Sequence, residues 1–239
     1  MSRLDVSSTD AAPRRWHRSD TLGTRLLLVL IACLATTGVV ALADAAREHD
    51  GVSRLDPTAA TDVVRMRTPT LTQLAHLFTF LGSEVVVGGL ALVVLATLLM
   101  RHQPSRAATF AIGMAGSAFL TVVVKLVVAR PRPGEVDRLG ALDTSYSFPS
   151  GHTLNSTVFM VLVVWLLWPS ARRAGRITLV AAGGLLAVGV GASRVYLGYH
   201  WLTDVLASGL VALAWLCVVA LLGSTLTRPA GRLTTQTTS

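Results

Sequence analysis

Charge is scarce in this 239-residue chain. Asp, Glu, Lys and Arg make up 14% of it, against 52% hydrophobic residues. The length would accommodate one or two soluble domains, but a soluble domain needs a polar surface that this composition cannot supply. Cysteine is scarce as well. Cys33 and Cys217 both lie inside apolar runs, where a thiol behaves as a small hydrophobe, so no disulfide framework is expected. Lysine occurs once, at Lys125, in the run TVVVKLVVA. A charge deep in hydrocarbon costs about 2.5–3.5 kcal/mol on insertion scales, so something should compensate for it there. Acidic residues are the rarer sign, 13 against 21 Lys and Arg, which leaves a net charge of +8. In a soluble protein that excess would suggest nucleic acid. Here the cations fall mainly in short segments between apolar runs, where topology and lipid headgroups account for them, and no nucleic-acid partner is expected.

What is present is a series of apolar runs near the roughly 20 residues that a helix needs to cross a bilayer. Six are placed at 26–43, 84–100, 107–128, 152–168, 177–196 and 201–222. They predict an all-α, polytopic membrane protein, a six-transmembrane-helix bundle forming one domain over 25–223. The segment TPTLTQLAHLFTFL, 68–81, is amphipathic and either lies at the interface or extends the second span. Residues 1–24 are polar and lack the small-residue cleavage site of a signal peptide, so a disordered cytoplasmic tail is expected there, and a mobile one over 224–239. More of the Lys and Arg fall on the side of the N-terminus than on the other, which predicts both termini in the cytoplasm.

Three clusters at span ends then open on one, outer side. In KLVVARPRP, Lys125 closes the third span and Arg132 sits between two prolines that end the helix and hold the backbone extended. In PSGH, Pro149 to His152, small residues precede a helix, so free backbone N–H groups and the helix dipole would face an incoming anion, with a titratable imidazole beside them. In SRVYLGYHWLTD, His200 and Asp204 are four apart, and on a helix they would share a face. The carboxylate would then fix the tautomer and leave the other ring nitrogen free as a nucleophile, with Arg194 folding back toward the same mouth. Each cluster alone has a plainer reading: a snorkelling Lys125, a basic loop at Arg130 and Arg132, an N-cap at Ser150, a structural His–Asp pair, an interfacial Arg194. Together they describe a site for moving a phosphoryl group, in which cations neutralise the phosphoryl oxygens, one histidine attacks and the other protonates the leaving oxygen. Such a site calls for no metal and no other cofactor, and it offers few carboxylates to hold one.

These motifs resemble those of the type 2 phosphatidic acid phosphatase and vanadium haloperoxidase superfamily. KxxxxxxRP matches Lys125 to Pro133, PSGH matches Pro149 to His152, and SRxxxxxHxxxD matches Ser193 to Asp204, without departure. The resemblance covers roughly 84–222. It implies that His200 attacks phosphorus and forms a phosphohistidine, that Asp204 orients it, and that His152 protonates the leaving group. Lys125, Arg132, Ser150, Gly151 and Arg194 would bind phosphate oxygens. It transfers no role to Arg130, Tyr196 or Tyr199. A lipid phosphate or lipid pyrophosphate at the outer face of a bacterial plasma membrane is the implied substrate, with undecaprenyl pyrophosphate, phosphatidylglycerol phosphate and phosphatidic acid among the candidates; surrounding membrane lipids are the other partners, and the motifs do not speak to oligomeric state. The alternatives are a vanadate-dependent haloperoxidase, disfavoured because those enzymes are soluble, and a catalytically silent lipid-phosphate binder, disfavoured because both histidines are present.

Overall fold

The structure, a computed structural model, describes residues 22–226. Eight α-helices run through the described residues: α1 (Leu22–Glu48), α2 (Asp56–Arg65), α3 (Pro69–Leu81), α4 (Glu84–Met100), α5 (Pro104–Val128), α6 (Gly151–Leu167), α7 (Arg173–Tyr196) and α8 (Leu202–Leu226). The tails expected at 1–24 and 224–239 lie mostly outside the described residues. Where they overlap, the helices are longer than expected, with α1 starting at Leu22 and α8 ending at Leu226.

Local chemistry sets the helix starts. Thr68 and Ser83 cap α3 and α4, their hydroxyls accepting from Leu71 N and Val86 N at 3.3 Å, and proline sits in the first turn of α3 and α5. At its other end α5 stops at Ala129, whose φ of 51° is left-handed, just before the RPRP sequence that cannot continue a helix. Five of the described helices are long and apolar enough to cross a membrane, and α3 with α4, bent by 43° between them, passes the same length and hydropathy test as a pair. At 1.5 Å per residue, α4 alone reaches about 25 Å, so α3 supplies the remaining length at an angle. The amphipathic 68–81 segment thus forms a helix of its own, α3, joined to α4 at that bend. The short helix α2, with the 3-10 turn Gly51–Leu55 before it, was not apparent from periodicity.

Helix α6 is the centre of the bundle and packs against α4, α5, α7 and α8, while α1 lies along α8 and α3 along α7. The core between them contains Phe110, Leu154, Val158, Phe159, Leu162 and Ala212, with Phe110 and Phe159 edge to face at 6.2 Å. Many leucines and valines, among them Leu26, Leu34, Leu92, Val122 and Val188, are exposed on the outside of the bundle, as lipid-facing residues must be. Helices α5 and α8 approach closely because Gly116 has no side chain. A Cβ there would lie 1.9 Å from the indole of Trp215, whose N–H donates to Gly113 O at 2.8 Å. Successive long helices alternate in direction, with α3 leading into α4, so the C-terminal ends of α1, α5 and α7 and the N-terminal ends of α4, α6 and α8 gather on one face. The chemistry-bearing segments all lie there.

Candidate active site

A cavity of about 540 Å³ opens on that face, and its lining includes Glu84, Lys125, Arg132, Ser145, Gly151, His152 and His200. All three sequence clusters thus contribute to one cavity. Lys125, in the last turn of α5, has the compensation that its position demands: Nζ donates to Ser145 Oγ and Tyr146 O, both at 2.8 Å. Arg132 is held by the extended backbone between its prolines and by a set of oxygen acceptors. It donates to Ser145 O (2.8 Å), Ser145 Oγ (2.9 Å) and Tyr199 O (2.7 Å), and it pairs with Asp143 Oδ2 at 2.6 Å. For Asp143, burial alone would raise the pKa, but the Ser145 hydroxyl and the Arg132 guanidinium outweigh it and hold the carboxyl below its ordinary value. The loop that follows Arg132 therefore presents a fixed cation and not a mobile one.

At the start of α6, Ser150 takes the N-cap position with extended backbone, yet its hydroxyl makes no cap bond. It accepts instead from Thr153 Oγ1 at 3.0 Å and is fully buried. Backbone N–H groups of the first turn are thereby left for another acceptor, as an anion seat requires. Gly151 brings that turn close to α5, since a Cβ would touch Thr121 Cγ2 at 3.0 Å. Ser150, Arg194 and Asp204 stand behind the lining residues. Arg194 is buried, donates to Thr79 Oγ1 at 2.8 Å, and lies over the ring of Tyr199 with 3.9 Å from Cζ to the centroid.

The His200–Asp204 pair differs from the sequence expectation in one respect. The two are not on a common helix, because α8 begins at Leu202 and His200 belongs to the preceding loop. They still meet, with His200 Nδ1 3.5 Å from Asp204 Oδ2, in ion-pair range but longer than a formed hydrogen bond. Trp201 N donates to the same oxygen at 2.9 Å, so Asp204 caps the start of its own helix while facing the imidazole. The other ring nitrogen, Nε2, points into the cavity, 3.2 Å from Arg132 Nη1. Burial first, with Arg132 and Arg194 adding to it, pushes the His200 pKa down to about 4, although Asp204 pulls the other way. His200 is thus neutral at physiological pH. With Nδ1 carrying the proton toward Asp204, Nε2 presents a lone pair to whatever occupies the cavity.

Several residues of the site were not singled out by sequence. Arg130, to which no role was transferred, is buried beneath the cavity. It donates to Asp204 Oδ1 at 2.6 Å, to Thr203 Oγ1 at 2.8 Å and to Asp56 Oδ2 at 2.7 Å, with Trp201 stacked on it. Ser147 donates to Asp204 Oδ2. Asp143 pairs with Arg132, and Ser145 accepts from both Lys125 and Arg132, so the two fasten the cations that line the cavity. The serine-rich run SYS before PSGH was the only local signal for Ser145 and Ser147, and nothing local marked Asp56.

A helical membrane bundle with two histidines, a helix N-terminus and fixed cations around one cavity defines a membrane enzyme of phosphoryl transfer. The profile of the PAP2 superfamily matches residues 106–228, about half of the chain, and the chain belongs to that superfamily. It is similar to phosphatidylglycerophosphatase B of Bacillus subtilis, 29% identical over 165 residues that make up 68% of this chain and 80% of that protein. The enzyme of the same name from Escherichia coli K12 is 38% identical over a shorter stretch, 36% of this chain and 33% of that one. Among solved structures, the transmembrane PAP2-type phosphatidylglycerolphosphate phosphatase of Bacillus subtilis superposes with a TM-score of 0.73 at 26% identity, covering 83% of this chain and 98% of that chain. Aquifex aeolicus LpxE shares the fold, with a TM-score of 0.54 at 21% identity over 72% of this chain and 95% of that one. The protein is a multi-pass membrane lipid phosphatase.

Proposed function

We propose that this phosphatase cleaves the terminal phosphate of a lipid phosphate or pyrophosphate at the outer face of the plasma membrane, through a phosphohistidine on His200 and without a metal ion. The observation that carries the reading is the placement of His200 Nε2 in the same cavity as Lys125, Arg132, the α6 N-terminus and His152. In the first step Nε2 attacks phosphorus, the Nε2–P bond forms as the bond to the lipid oxygen breaks, and His152 gives its proton to that oxygen. In the second, His152 takes a proton from water, the resulting oxygen attacks phosphorus, the Nε2–P bond breaks, and inorganic phosphate leaves. Lys125, Arg132 and Arg194 offset the phosphoryl charge, a task that would otherwise fall to a metal. The phosphatidylglycerolphosphate phosphatases to which the chain is similar make that lipid the first substrate to assay. A cavity at the membrane face suits a lipid, which can stay in its leaflet while its headgroup enters.

The outward direction rests on charge. Arg101, Arg106, Arg172, Arg173 and Arg176 lie at the helix ends away from the cavity, which the positive-inside rule assigns to the cytoplasm. The test is phosphate release from a panel of lipid phosphates by purified protein. Activity should persist in EDTA, fall with vanadate, and leave an acid-labile phosphoenzyme on rapid quench. A requirement for added magnesium, with indifference to vanadate, would overturn the metal-free reading.

A further inference from the structure

Asp56 opens α2, outside the 106–228 stretch matched by the superfamily profile, and is 2% exposed. A carboxylate so buried is retained only where it is paired and hydrogen-bonded. Oδ1 accepts from Thr203 N at 3.0 Å, and Oδ2 accepts from Arg130 Nη2 at 2.7 Å and from the Thr203 hydroxyl. The other arm of the same guanidinium, Nη1, donates to Asp204 Oδ1. Arg130 is 5% exposed and Asp204 fully buried, so a carboxylate–guanidinium–carboxylate chain runs beneath His200.

Charge gives that chain its meaning. Arg130 and Asp204 alone would be a neutral buried pair, and the carboxylate would have little field left for the imidazole. With Asp56 the group carries one net negative charge. When Nε2 bonds to phosphorus while Nδ1 keeps its proton, the ring becomes cationic, and a net negative charge behind it stabilises that developing cation. We infer that Asp56 is a positioning residue for the reaction: it occupies Arg130 so that the charge of Asp204 stays available to His200. The inference rests on the phosphohistidine reading above.

The two ideas fail separately in one set of measurements. On wild-type protein, the absence of phosphatase activity or of an acid-labile phosphoenzyme would remove the phosphohistidine reading itself. If both are present, Asp56→Asn, which keeps the shape and the acceptor for Thr203 N, should lower kcat and the single-turnover rate of phosphoenzyme formation roughly 10- to 100-fold, with vanadate affinity within about twofold of wild type. The double variant Asp56→Asn/Arg130→Gln removes one charge of each sign and leaves Asp204 unneutralised, so it should be faster than Asp56→Asn alone. A purely structural role predicts the opposite order, because the double variant loses more bonds. An unchanged kcat in Asp56→Asn, a loss confined to vanadate affinity, or a double variant slower than the single would each overturn the proposal. Should Asp56→Asn not accumulate in the membrane, the same comparison is made between Arg130→Gln and the double variant: Asp56 acts only through Arg130, so without that guanidinium the two should turn over within about threefold of each other, and a double variant more than about tenfold slower than Arg130→Gln would overturn the proposal.

Discussion

At the residue scale, two histidines reach one cavity from different elements. His200 is buried, faces Asp204 and is neutral at physiological pH, which suits a nucleophile. His152 stands in the first turn of α6 and lines the same cavity. Their variants should fail differently. His200→Ala should abolish turnover of every substrate and trap no phosphoenzyme. The importance of His152 should scale with the basicity of the departing oxygen. A phosphatidate leaves as an alkoxide, with a conjugate acid about as weak as water at pKa ~15.7. A lipid pyrophosphate leaves as a phosphate monoester, with a second pKa of ~6. His152→Ala should therefore slow phosphatidate hydrolysis far more than pyrophosphate hydrolysis in single-turnover comparison, and equal losses would mean that His152 does not act as the general acid.

At the element scale, helix ends and close helix contacts place the site. Helix α6 supplies its N-terminus to the cavity and its body to the core, so whatever shifts the bundle also shifts that N-terminus. The α5–α8 contact is the most sensitive point, because both helices also position site residues, Lys125 and Asp204. Gly116→Ala would push a methyl into the rigid ring of Trp215. Overpacking of this kind costs typically 1–3 kcal/mol, so the variant should melt several degrees lower in detergent and lose activity in proportion to the folded fraction. Trp215→Leu in the same chain should restore part of the melting temperature. A Gly116→Ala protein as stable as wild type would show that the two helices can separate without cost.

At the scale of the whole molecule, the site lies at one end of the bundle, and the proposed topology puts that end outside. A cysteine at Thr144, exposed in the loop beside the cavity, should react in intact cells with a membrane-impermeant thiol reagent. One at Ala174, exposed at the opposite end, should react only after lysis. The reverse pattern would invert the topology and put the chemistry in the cytoplasm. The native cysteines leave the experiment clear: Cys217 is buried, and Cys33 sits in the middle of α1, away from either aqueous face.

The sequence by itself determined the membrane class, because apolar runs of bilayer length have no other stable environment. It also determined the convergence of Lys125, Arg132, His152 and His200, because alternating span directions send their motifs to the same face. Each of these properties is carried by contiguous residues and by the parity of crossings, so a linear reading captures it. Only the tertiary structure decided which groups stand behind the lining ones. Asp56 and Arg130 are 74 positions apart in the chain and meet at 2.7 Å in the fold. His200 turned out to lie in a loop ahead of α8, because Asp204 spends one oxygen on Trp201 N to start that helix. Hydrogen-bonded partners of a buried charge are chosen by packing across helices, and packing leaves no periodic mark in the chain. That is why the cations and histidines of the cavity could be read from their motifs, while the carboxylate–guanidinium chain beneath them could not.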